Sequence, residues 1–199
     1  MGRAAEIIAL LDGADRSVTL ALNAVNSPAS DAVWQFFSAR EVWYVMYAVI
    51  IFFMFKQLGW RRALVAVLSC VLFVVACDQF ANLVKAGVQR LRPMEDADML
   101  ARGLHVLEGH GGLYGFFSAH AANAMGFAVC SSMGFRSSGK PHRAYKAGIC
   151  LWAVLVGLSR VFVGKHYLGD VVVGFAVGLL LGWLFGALGR LCIKKFHIS

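Results

Sequence analysis

Residues 147–190 read AGICLWAVLVGLSRVFVGKHYLGDVVVGFAVGLLLGWLFGALGR, two apolar runs separated by the turn GKHYLG at 164–169. Each run, 147–163 and 170–190, approaches the about 20 residues that an α-helix needs to cross a hydrocarbon core. A sequence of this kind cannot fold as a soluble pair of helices, because it offers no polar face along most of either run. The polar residues it does contain, Ser159, Arg160, Lys165, His166 and Asp170, crowd where the two helices meet, at one membrane boundary.

Upstream, three more segments are apolar over nearly enough length to cross, at 42–60, 63–84 and 118–135. The first is short in its uninterrupted apolar part, Val42 to Phe55, and needs Lys56 to snorkel or Trp34 to Phe37 to extend it. Lys56, Arg61 and Arg62 follow the first segment. Arg136, Lys140, Arg143 and Lys146 follow the third, and Arg190, Lys194 and Lys195 the fifth, with no acid among them. Alternate crossings put these stretches on one face, which the positive-inside rule makes cytoplasmic. The loop 85–117 and the turn 164–169 then lie on the other face, with Glu95, Asp96, Asp98 and Glu108.

The expected fold is therefore all-α, an integral membrane helical bundle of five transmembrane helices in a single domain, 1–199, with the membrane core at 42–190. Asn23, Asn26, Ser27, Pro28, Ser30 and Asp31 make a crossing within 1–40 costly, so that region is expected to form amphipathic surface helices. Six spans with an internal N terminus are the alternative. The first strongly apolar run begins beyond residue 40, so no cleavable leader is expected and the helices themselves direct insertion.

Composition agrees. Hydrophobic side chains make up 59% of the 199 residues and charged ones 15%, with a mean hydropathy of +0.67, which excludes an ordinary soluble domain. The net charge of +8 is explained by topology, so no nucleic-acid partner is expected. The five cysteines, Cys70, Cys77, Cys130, Cys150 and Cys192, fall in or beside apolar runs with no disulfide or zinc spacing.

Three polar clusters converge on the outer ends of the helices. Lys85 and Arg92 are seven residues apart; on one helix they would share a face about 10 Å apart along the axis, before Pro93 ends the element. Ser118 is placed to cap a helix opening at Ala119, whose first amides and dipole favour an anion beside His120. Asp170 stands four residues after His166, where a carboxylate can accept the ring N–H and fix the tautomer.

These clusters resemble the motifs of the type 2 phosphatidic acid phosphatases, whose fold is shared with bacterial non-specific acid phosphatases and vanadium haloperoxidases. The first motif of that family matches Lys85 with Arg92-Pro93, and the third matches Ser159-Arg160 with His166 and Asp170. The second, usually Pro-Ser-Gly-His, reads Phe117-Ser118-Ala119-His120 here. The resemblance covers about 60–190 and implies a metal-independent hydrolase without cofactor. His166 would be the nucleophile that forms a phosphohistidine, oriented by Asp170, and His120 the general acid and later base. Lys85, Arg92, Ser118, the Ala119 amide and Arg160 would hold the phosphate.

Other polar residues invite plainer readings. His105 and His110 are read as structural, Lys165 as a head-group contact, and Gly111, Gly112, Tyr114 and Gly115 as a turn or a rim over the pocket. Asp78 and Asn123, facing the bundle, are structural or assist Lys85 and His120.

The expected substrate is a lipid phosphomonoester or pyrophosphate met at the bilayer: undecaprenyl pyrophosphate or lipid A first, phosphatidylglycerophosphate or phosphatidic acid next. The expected location is a bacterial inner membrane, with the site on the periplasmic face. A non-catalytic anionic-lipid binding or transport protein and a vanadate-dependent oxidase are the alternatives. Oligomeric state is not legible in the sequence.

Overall fold

The computed structural model describes residues 2–198, which are helical with no strand among them. Eight α-helices follow in order: α1 (Arg3–Asn23), α2 (Pro28–Ser38), α3 (Tyr44–Leu58), α4 (Trp60–Val88), α5 (Ala97–Ala101), α6 (Ala119–Phe135), α7 (Arg143–Phe162) and α8 (Leu168–Lys195). Four stretches are long and apolar enough to cross a membrane: Glu41–Leu58, Trp60–Val88, Arg143–Phe162 and Leu168–Lys195. They correspond to four of the five expected spans. The fifth, α6, has 17 residues and is the most enclosed helix, its faces taken up by α4, α7 and α8.

Local chemistry sets the ends of these elements. Ser27 and Ser30 form a reciprocal cap at the start of α2, with Pro28 in the first turn. Gly59, at φ +76°, separates α3 from α4. The end of α4 corrects one expectation: the helix stops at Val88, and Gln89 turns left-handed at φ 52°. Arg92 is therefore not on a shared helix face with Lys85. A chain reversal brings the two together, with Leu91 pairing as a short bridge to Tyr114.

Helices α6 and α8 pack closely through small residues. A Cβ on Gly178 or Gly182 would collide with the carbonyls of Ala122 and Gly126, the arrangement that lets membrane helices approach in the absence of a hydrophobic driving force. Phe73 fills the space beside this contact, fully buried among Cys77, Ala81, Phe117 and Ala122. Because His120 lies in the first turn of α6 and Asp170 in the first turn of α8, this packing also fixes where those two residues stand relative to one another.

Region 1–40 does hold two helices, but α1 is turned differently from a simple surface helix. Ile7, Ile8, Leu10 and Leu11 point outward, whereas Asp12, Asp15, Arg16, Thr19 and Asn23 face the protein. The reason lies in the helix ends it meets. Asp15 and Thr19 accept the first-turn amides of Gly169 and Leu168 in α8, at 2.7 and 2.9 Å. Asn23 donates to the last carbonyls of α7, Val161 and Phe162, both at 3.1 Å. Backbone groups that a helix leaves unpaired are thus satisfied by side chains of α1.

Candidate active site

The turn between α7 and α8 carries the central pair. Gly164, at φ +79°, allows a reversal in which the amides of Lys165 and His166 both donate to the Arg160 carbonyl at 3.0 Å. His166 Nδ1 then lies 3.3 Å from Asp170 Oδ2, and the two residues are 2% and 0% exposed. Asp170 Oδ2 also accepts the Tyr167 amide at 3.2 Å, and Oδ1 accepts from Arg90 at 2.8 Å. A carboxylate held on both oxygens cannot rotate, so the imidazole it meets has one orientation. Burial, with the charges of Arg92, Arg160, Lys85 and Lys165, holds His166 well below the ordinary histidine range. The ring is neutral and its Nε2 available.

Gly115 gives a direct measure of how tightly the groups converge. A Cβ there would stand 3.1 Å from Arg92 Cγ, 3.3 Å from Asp170 Oδ2 and 3.5 Å from His166 Nδ1. The Gly115 amide bonds the Arg90 carbonyl at 2.8 Å and the Arg92 amide bonds Leu113 at 3.1 Å, which pins Arg92 over the pair. The glycine is needed as a close-approach position in the segment read from sequence as a rim.

Ser118 caps α6, accepting the Ala121 amide at 3.4 Å, while its own amide donates to the Asp170 carbonyl at 3.0 Å. The opening of α6, with Ala119 and His120, is thereby tied to the start of α8. His120 lies in the electrostatic range of His166, Arg160 and Lys85, and its Nε2 accepts from Arg40 Nε at 3.0 Å. Lys85 has Arg92, Asp78, Asp170 and Arg40 as its charged neighbours. The structure thus gathers Lys85, Arg92, Ser118, Ala119, His120, Arg160, His166 and Asp170 around one end of the bundle. The Nε atoms of Arg92 and Arg160 are buried without a partner among the described residues. Buried donors of this kind call for an anion.

Several groups at this end were not legible as site residues. Arg40, after α2, carries no motif. Arg90 sits inside the six-residue spacer of the first motif. Glu108 holds Arg160 NH1 at 3.5 Å and Lys165 Nζ at 3.8 Å, and Ser38 links Glu108 to Arg160 by hydrogen bonds. Lys165, read as a head-group contact, is only 7% exposed and also donates to the Gly109 carbonyl. His105 pairs with Asp31 and His110 with Glu95, each at 2.9 Å.

A groove of about 460 Å³ between α3, α4 and α6 reaches the site at His120. Its walls are apolar, among them Tyr47, Ile50, Val71, Val74 and Phe127, with Arg40, Asp78, His120 and Asn123 at the polar end. Among the described residues no group of three or more His, Cys, Asp or Glu side chains is placed to hold a metal ion.

Residues 63–191 match the PAP2 superfamily. The chain is 34% identical over 181 residues to a lipid A 4'-phosphatase of Bacteroides thetaiotaomicron, covering 90% of this chain and 78% of that protein. It is 32% identical over 169 residues to a lipid A 4'-phosphatase of Porphyromonas gingivalis, covering 84% and 70%. The crystal structure of a transmembrane PAP2-type phosphatidylglycerolphosphate phosphatase from Bacillus subtilis superimposes with a TM-score of 0.71 at 22% identity, covering 91% of this chain and 87% of that one. On the family match, the similarity of these relatives and the shared membrane fold, the chain belongs to the PAP2 superfamily.

Proposed function

We propose that the protein hydrolyses a phosphomonoester on a membrane lipid, lipid A before the other candidates, through a phosphohistidine and without a metal. The observation that carries this reading is the buried His166–Asp170 pair facing Arg92 and Arg160, whose guanidiniums keep unpartnered donors. Resemblance to two lipid A 4'-phosphatases over most of the chain favours lipid A over undecaprenyl pyrophosphate.

The phosphate sits among Lys85, Arg92, Arg160, Ser118 and the first amides of α6, which balance charge on its equatorial oxygens. His166 Nε2 attacks phosphorus while its Nδ1 keeps its proton and donates it in a hydrogen bond to Asp170, which stabilises the imidazolium form. The P–O bond to the lipid breaks, and the leaving oxygen takes a proton from His120. Arg40, which donates to His120 Nε2, turns to the phosphate and leaves that nitrogen able to carry the proton. Water then attacks the phosphohistidine, His120 accepts its proton, and inorganic phosphate and free His166 result. The groove between α3, α4 and α6 receives the acyl chains from the bilayer.

The chain works as one unit, 1–199, in a bacterial inner membrane. The site opens on the periplasmic face, because the basic stretches after α3, α6 and α8 take the cytoplasmic side. Phosphate release from lipid A, phosphatidylglycerophosphate, phosphatidic acid and undecaprenyl pyrophosphate by purified protein in detergent with EDTA tests the reading. Lipid A should be turned over fastest, and His166→Ala should abolish release. Release that needs an added metal, or persists in His166→Ala, would contradict it.

A further inference from the structure

We propose that Asp78 and Asn123 form a recognition site for hydrogen-bond donors on the leaving group. The site selects lipids whose phosphate is esterified to a hydroxylated or amide-bearing head, such as an acylated amino sugar. The proposal rests on the lipid phosphatase reading above and adds the determinant of its substrate class.

Asn123 follows His120 by three residues on α6, on the same side and about 4.5 Å further into the membrane. Asp78 lies on α4, two turns before Lys85. Both residues line the groove that ends at His120. Asn123 Nδ2 donates to Asp78 Oδ1 at 2.7 Å, which fixes the amide. Its Oδ1 is buried with no hydrogen-bond partner among the described residues. A carboxyl group has room for several donors, and Asp78 takes this single one.

A pair serving only to join α4 and α6 would satisfy itself, since an unmet acceptor in a membrane core is costly. Asn123 instead holds one oxygen of Asp78, and the other is left as a spare acceptor on a groove with apolar walls. With the leaving oxygen at His120, the next atoms of the substrate toward the hydrocarbon fall beside Asn123. A sugar or glycerol hydroxyl, or an amide N–H, supplies the missing donor there. Phosphatidic acid offers ester oxygens at that depth and a polyprenyl chain only C–H, so both leave the second oxygen of Asp78 unmet. Sites built for hydrogen bonds discriminate strongly against analogues that lack them.

The test compares kcat/KM for lipid A with that for phosphatidic acid in wild type, Asn123→Ala and Asp78→Asn, all purified in the same detergent. The ratio should fall by about tenfold or more in each variant. An unchanged ratio, including equal loss on both lipids as a purely structural role would give, overturns the proposal. If wild type releases no phosphate from lipid A, the lipid A assignment fails separately. The ratio is then read with phosphatidylglycerophosphate, whose glycerol keeps a free hydroxyl near the phosphate, and the same two outcomes decide.

Discussion

Arg90 and Asp170 meet at 2.8 Å, on the carboxylate oxygen that His166 does not use. The same guanidinium bonds Asp12 and Asp15 of α1, each at 2.8 Å, and stacks over the Tyr167 ring at 3.9 Å. Arg90 therefore joins the N-terminal helix to Asp170. In the proposed mechanism it is a positioning residue, acting through Asp170 on the His166 nucleophile. Arg90→Gln is expected to lower kcat by about 10- to 100-fold, on the scale of a lost charged hydrogen bond, with a smaller change in KM. In an Asp170→Asn background the same substitution should add little. Additive losses in steady-state kinetics would disconnect Arg90 from Asp170.

The role of α1 shows what the sequence could and could not reveal. Lys85, Arg92, Ser118, His120, Arg160, His166 and Asp170 were legible as candidates because they stand in the order and spacing of the family motifs they resemble, and because cations, a helix cap and a histidine–carboxylate pair suit a phosphate. Asp12, Asp15, Thr19 and Asn23 follow helical spacing too, and in sequence such a stripe reads as a face turned to water. Their partners are mainly backbone amides and carbonyls of α7 and α8 and the side chain of Arg90, which no spacing announces. The Lys85–Arg92 spacing suggested one continuous helix, but Gln89 breaks it, and Arg92 remains a charged neighbour of Lys85 from the loop, where Leu91 pairs with Tyr114.

Asn23 tests the clip directly. Its amide nitrogen meets the carbonyls of His105, Val161 and Phe162, and its oxygen takes the His105 amide at 2.7 Å. Asn23→Ala leaves these buried groups unpaired and should destabilise the protein by about 1–3 kcal/mol. Thermal unfolding in detergent measures this. An unchanged midpoint would mean that α1 is not anchored here.

Glu108 pairs with Arg160 and Lys165. A phosphate must compete with that carboxylate for the same cations. Glu108→Gln is expected to tighten inhibition by inorganic phosphate or vanadate by about threefold to tenfold, the range of a partly exposed ion pair. Weaker inhibition would assign Glu108 to holding the cations in place.

In the proposed mechanism, protonation of His166 sets the acid limb. Burial and the surrounding cations hold its pKa well below the ordinary value, so the neutral attacking form persists below about pH 6.5. Removing a cation with Lys165→Met eases formation of the imidazolium, and the acid limb of kcat/KM should move to higher pH. The sign for stability is the same. The unfolded chain takes up a proton that the folded one refuses, so stability present above about pH 6.5 is lost as pH falls toward the lowered value. A limb that stays fixed or moves to lower pH in Lys165→Met would show that another group controls it.

Direct observation of the covalent intermediate reaches the centre of the account. Enzyme mixed with excess lipid A and quenched into alkali during turnover should carry a phosphoryl group on the peptide containing His166, located by mass spectrometry and absent from His166→Ala. Turnover with no phosphoryl group on that peptide, or with one on His120 instead, would contradict it.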